Sequence, residues 1–112
     1  MSKDFELFQS EFKKWQVKFG LTGYKVYFKH EPLDSFADIR INQGDMVATI
    51  GFNSDLPDKD KPFLDVKCSA KHEALHLLIG RLEMAGHYRY SSEHEIWEAS
   101  EELVHRLEGL LT

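Results

Sequence analysis

The sequence predicts an α+β domain in the order helix, three strands, helix, helix, and three observations carry that prediction. Phe5, Phe8, Phe12, Trp15 and Phe19 recur at spacings of three, four, three and four residues, which is one face of an amphipathic helix. Between residues 24 and 53, apolar and polar side chains alternate in short runs, the period-two pattern of strands with one buried face. From Leu64 to Met84 the chain is long, apolar and free of proline, and Ser92 with Glu95 three residues on forms a capping box that opens a last helix.

Each element follows in turn. The first helix is expected over about Lys3 to Phe19, closed by Gly20. Tyr24 to His30 places Val26 and Phe28 on one face, and Phe36 to Asn42 does the same with Ile39 and Ile41. Gln43-Gly44-Asp45 suits a hairpin turn into Met46 to Asn53, where Met46, Ala48, Ile50 and Phe52 share a face. The polar loop Ser54 to Lys61 leads to Pro62, a residue suited to a first helical turn. The second helix is therefore expected from about Pro62 or Leu64 to Met84, with Gly86 ending it. In the third helix, Ile96, Ser100, Leu103, Leu107 and Leu110 form the expected packed face.

A length of 112 residues predicts one domain over residues 1–112 with a single modest core. The net charge of −5 argues against general nucleic-acid binding, because neutralising phosphates requires a basic surface. No apolar stretch approaches the roughly 20 residues that span a bilayer, so no membrane partner is expected. The N-terminus, Met1 to Glu6, has no apolar run of signal-peptide type, and the single cysteine, Cys68, fits a reducing compartment. Cytoplasmic residence is the expectation.

Chemistry concentrates in His72-Glu73-Ala74-Leu75-His76, an H-E-x-x-H segment within the apolar second helix. Residues i and i+4 share a helix face, so both imidazoles can reach one metal ion, while Glu73 projects beside that face. Two neutral nitrogen ligands, a carboxylate base and an open coordination position are what zinc-dependent hydrolysis needs. With 6 histidines among 112 residues, chance alone would place this motif in roughly three such chains per hundred. Its apolar surround (Leu75, Leu77, Leu78, Ile79 and Leu82) lowers that further.

The element order, with H-E-x-x-H on the first helix after the sheet, resembles a minimal zincin metallopeptidase. The compact form is similar to small metallopeptidase-like proteins of bacteria and phages, and to the catalytic domain of regulatory proteases that cleave repressors. The resemblance implies a bound Zn2+, His72 and His76 as ligands, Glu73 as general base, and a peptide or protein substrate. It also implies an edge strand along the cleft that binds extended peptide by strand addition, and Met46 to Asn53 is the segment that resembles it. The alternative is a non-proteolytic zinc-binding or partner-binding domain on the same scaffold. A structural zinc site fits less well, since such sites favour four protein ligands and cysteine.

Catalytic zinc normally takes three protein ligands. The metzincin form needs a histidine or aspartate six residues after the second histidine, and that position is Leu82. A glutamate from the last helix, as in gluzincins, remains, with Glu93, Glu95, Glu98, Glu101 and Glu102 as candidates. Helical phase places Glu98 almost opposite the expected packed face and Glu102 well away from it, whereas Glu101 sits at its boundary. Glu101 is therefore the favoured third ligand, with Glu98 second and Glu102 third, because Glu98 and Glu102 resemble a ligand paired with a supporting carboxylate. Cys68 reads as a small buried hydrophobe and Tyr88 and Tyr90 as packing residues of the loop between the last two helices, with stabilisation of a substrate oxyanion as the alternative. His87 lies past the helix end, and His94 and His105 read as surface residues.

Overall fold

The computed structural model describes residues 2–87 and 92–111. Helix α1 runs Lys3–Lys18, capped by the Ser2 side chain, which accepts from the Phe5 amide. Three strands follow, β1 (Lys25–Glu31), β2 (Ala37–Asn42) and β3 (Val47–Asn53). After a short 3-10 turn over Lys61–Phe63 come α2 (Val66–Gly86) and α3 (Glu93–Leu110). The fold class is the predicted one: an N-terminal helix, a three-stranded mixed sheet and two C-terminal helices. No helix among the described residues is long and apolar enough to cross a membrane.

The aromatic stripe of α1 builds the core. Phe8 and Phe12 are fully buried, each edge-on to Phe28, and Phe8 also lies 4.7 Å from Phe52 between ring centroids. Ala48 and Ile50 of β3 and Ala70, Ala74 and Leu77 of α2 complete the cluster. One face of the sheet thus packs on α1 and α2, which is why its inward positions are apolar. Leu75, Ile96 and Val104 are buried outside that main cluster, on α2 and α3.

Four local features differ from the sequence expectation. Strand order is β1-β3-β2, with β1 parallel and β2 antiparallel to β3. β3 is therefore central, its backbone paired on both sides, and the Met46 to Asn53 segment cannot add a peptide strand. Both outer strands, β1 and β2, have one paired edge among the described residues, and β2 is the one that lies against α2. Met46 belongs to the turn, at φ 54°. Pro62 opens the 3-10 turn rather than α2, whose true start is fixed by Asp65 accepting from the Cys68 amide. On α3 the buried positions are Ile96, Ser100 and Val104, while Leu110 is exposed, so the packed face is rotated from the expected one.

Two details hold β2 at the cleft. The buried Asn53 side chain accepts from the Leu33 and Asp55 amides and donates to the carbonyls of Leu33 and Ser35, pinning the segment that leads into β2. Its truncation leaves buried backbone groups unpaired, so Asn53→Ala is expected to cost about 2 kcal/mol in denaturant unfolding. At the other end, Gly80 lets α2 touch the sheet: a Cβ there would sit 2.9 Å from both Ile41 Cδ1 and Gln43 Nε2.

Candidate metal centre

His72 and His76 stand one turn apart on the face of α2 that meets α3, which is what the i, i+4 spacing dictates. Their Nε2 atoms are 3.2 Å apart. Glu101 reaches them from α3, with Oε1 2.8 Å from His76 Nε2 and Oε2 3.7 Å from His72 Nε2. All three side chains are half-buried, and their ligand atoms lie within 4.8 Å of one another. Zinc bonds of 2.0–2.2 Å at tetrahedral angles would set ligand atoms about 3.3–3.5 Å apart, and the three observed separations straddle that spacing. The donor set, two imidazoles and a carboxylate, suits zinc.

A second carboxylate completes the arrangement. Glu108 Oε2 lies 2.9 Å from His72 Nδ1. A carboxylate only accepts, so the Nδ1 proton of His72 is donated to Glu108 and the lone pair of a neutral ring is left on Nε2, facing His76 and Glu101. Glu108 is itself held in place through the backbone, because Lys71 Nζ donates to the carbonyls of Glu108 and Leu111, fastening the last turn of α3 to α2. Glu108 was not among the sequence candidates. Its signal is the two-turn spacing Glu101-to-Glu108, which puts both carboxylates on one face of α3.

Glu73 sits one position round α2 and is only 7% exposed. Burial pushes its carboxyl up to about 8, assisted by the negative charges of Asp38, Glu101 and Glu108. Burial likewise holds the His76 imidazole below the ordinary histidine range, against the pull of Glu101, favouring the neutral ring that a metal requires.

The remaining candidates separate cleanly. Glu98 is exposed and pairs with His94 at 2.6 Å, and Glu102 pairs with Arg106 at 2.7 Å; neither is brought to the histidines. Glu93 and Glu95 lie in the first turn of α3, where Glu95 completes the capping box. His105 is exposed, as expected, yet joins the cluster, with Nε2 3.6 Å from Glu101 and Nδ1 3.0 Å from Glu108. Cys68 is half-buried and its thiol is pushed up by burial, the opposite of an activated thiolate. Leu82 is exposed. Tyr88 and Tyr90 lie outside the described residues.

No protein-family model, curated protein or solved structure matches this chain. What stands is a small α+β domain with a His/His/Glu cluster between two helices, a candidate metal site.

The cluster lies along a cleft. A cavity of about 560 Å³ opens on the side of the α2 C-terminus, between Ile39 and Ile41 of β2, Met84 of α2, His87 just past its end, and Trp97 of α3. A second, of about 290 Å³, lies on the side of the α2 N-terminus, between Phe63, Cys68 and His105. His72, Glu73, Ser35 and Ala37 border both, so the cluster sits midway along a trough whose wall is β2.

Proposed function

We propose that this protein is a zinc-dependent peptidase of the zincin type, with His72, His76 and Glu101 as metal ligands and Glu73 as general base. The observation that carries the reading is the convergence of two Nε2 atoms and a carboxylate oxygen beside a buried glutamate, where two cavities meet. A zinc ion there would supply Lewis acidity, polarising a scissile carbonyl and making water more acidic. Glu73 takes the proton of the attacking water and hands it to the leaving amine, and a carboxylate with proton affinity near neutrality suits both transfers. Glu108 keeps His72 in the tautomer whose Nε2 is free to ligate.

The geometry also favours an extended peptide as substrate. β2, whose outer edge is unpaired among the described residues, borders the larger cavity, and the segment from Ser35 to Ala37 that leads into it borders the smaller, offering backbone donors and acceptors for strand addition, while Ile39, Ile41 and Trp97 offer apolar contacts for side chains. This role passes from the central strand β3 to β2.

The test is zinc binding and peptide cleavage measured together. Glu101→Ala is expected to lower zinc affinity by at least about tenfold, with peptidase activity falling alongside, whereas Glu98→Ala leaves both unchanged. Cleavage should stop on chelation and return with zinc. Zinc binding without cleavage of any peptide in a broad library would favour the non-proteolytic metal-binding reading. Unchanged zinc affinity in Glu101→Ala would remove it as a ligand.

A further inference from the structure

Helix α3 carries three metal-binding side chains on one face, Glu101, His105 and Glu108, and the proposed catalytic site uses only the first as a ligand. His105 Nδ1 lies 3.0 Å from Glu108 Oε1, and His72 Nδ1 lies 2.9 Å from Glu108 Oε2. The ligand atoms of His72, His105 and Glu108 lie within 4.8 Å of one another and form a second group that shares only His72 with the group of His72, His76 and Glu101. The two groups meet at one imidazole, His72, which presents a different nitrogen to each.

We infer that this face of α3 holds a second, weaker divalent transition-metal ion beside the first, bound by His105 and Glu108 with Nδ1 of His72. Charge supports it. Glu101 and Glu108 form ion pairs only with histidines among the described residues, since Arg106 is engaged by Glu102 and Lys71 donates to backbone carbonyls. Glu108, which the first group does not use as a ligand, therefore has only imidazoles as ion-pair partners among the described residues. Access supports it too, because the His105 side chain is 61% exposed at the rim of the smaller cavity, leaving coordination positions to water. An imidazole–carboxylate donor pair selects borderline ions such as zinc over calcium or magnesium.

Occupation has a chemical consequence. Nδ1 of His72 can ligate only after giving up the proton it otherwise donates to Glu108, and that proton leaves to solvent. His72 then bridges two ions, and the carboxylate that held its tautomer is drawn into coordination. The second ion is thus predicted to inhibit: metal at low concentration activates, and excess metal opposes turnover through the same histidine.

Calorimetric zinc titration of the full-length chain, with stoichiometry checked by elemental analysis, tests the inference. Two binding events are expected, the weaker releasing a proton, seen as a heat that depends on the ionisation enthalpy of the buffer. His105→Gln should abolish the weaker event and change the tighter one by less than about tenfold, while His76→Ala should abolish the tighter one and leave the weaker. Circular dichroism establishes that each variant is folded, and exposed His105 tolerates replacement. A single event in the wild-type chain, or loss of the tighter event in His105→Gln, overturns the second site. Two events with no peptidase activity overturn only the catalytic reading; one event with full activity overturns only the second ion.

Discussion

Glu73→Gln is expected to retain zinc and to lose roughly 10²–10⁴-fold in peptide hydrolysis. Glutamine keeps the size and planarity of the side chain but cannot accept a proton from water. The proposed metal ligands are untouched, because Glu73 falls outside both candidate metal clusters and lies round the helix from His72 and His76. Its exposure of only 7% means the residue is fixed in place, so a shorter carboxylate does not simply swing in to replace it. Glu73→Asp should therefore recover only part of the lost rate. Single-turnover cleavage of a peptide, with zinc content measured on the same samples, checks this. Equal loss of zinc and activity would make Glu73 a ligand, and undiminished turnover would remove it as the base.

Much of this site can be read directly from the chain. The aromatic spacing of α1 and the H-E-x-x-H of α2 are periodic signals, and periodicity reports which side chains share a face. Helical phase also singled out Glu101, although from a packed face that is rotated in the structure: Ser100 and Val104 are buried and Leu103 is half out. Glu101 survives that rotation because it directly follows a buried residue and remains at the boundary.

What stayed hidden has a common physical origin. Period-two alternation in β2 and β3 fixes the inward face of each strand but says nothing about its neighbours, so the edge role went to the wrong strand. Neighbour choice depends on where the connection from β1 crosses, and here Asn53 fixes that crossing through four hydrogen bonds spread between residues 33 and 55. Glu108 was missed because a supporting carboxylate was sought one turn from a ligand. It acts two turns away, near a helix end held by Lys71, and only the packing of α3 on α2 shows that it meets His72. The α2 start was misplaced because Pro62 serves a 3-10 turn as readily as an α-helix, and the deciding hydrogen bond comes from Asp65.

The same glutamate should make the metal-free protein less stable as pH rises. The Glu73 carboxyl moves from an ordinary 4.5 to about 8 in the fold, by burial first and by Asp38, Glu101 and Glu108 after it. A raised folded-state value means that the native protein binds the proton more tightly than the unfolded chain does. Glu73 is therefore stabilising in its protonated form: the contribution is complete below about pH 4.5 and is lost as pH climbs to about 8. By pH 7 the loss is about 3 kcal/mol, at about 1.4 kcal/mol per unit. His76 acts in the opposite sense: its folded-state value is depressed by burial, so its contribution is present above the ordinary 6.5 and lost as pH falls. Comparing Glu73→Gln with wild type at each pH cancels that effect, because His76 is common to both. The variant should melt higher, by roughly 10 °C at pH 7, with the gap shrinking toward pH 5. Saturating zinc should narrow the gap, since a divalent charge beside Glu73 offsets the carboxylates that raise its proton affinity. A wild-type-to-variant difference that stays flat from pH 5 to pH 8 would show that the buried carboxyl is not held protonated. A gap that opens with pH, in a variant that no longer cleaves peptides, would show that the metal-free fold accepts a stability cost to keep a base poised near neutrality.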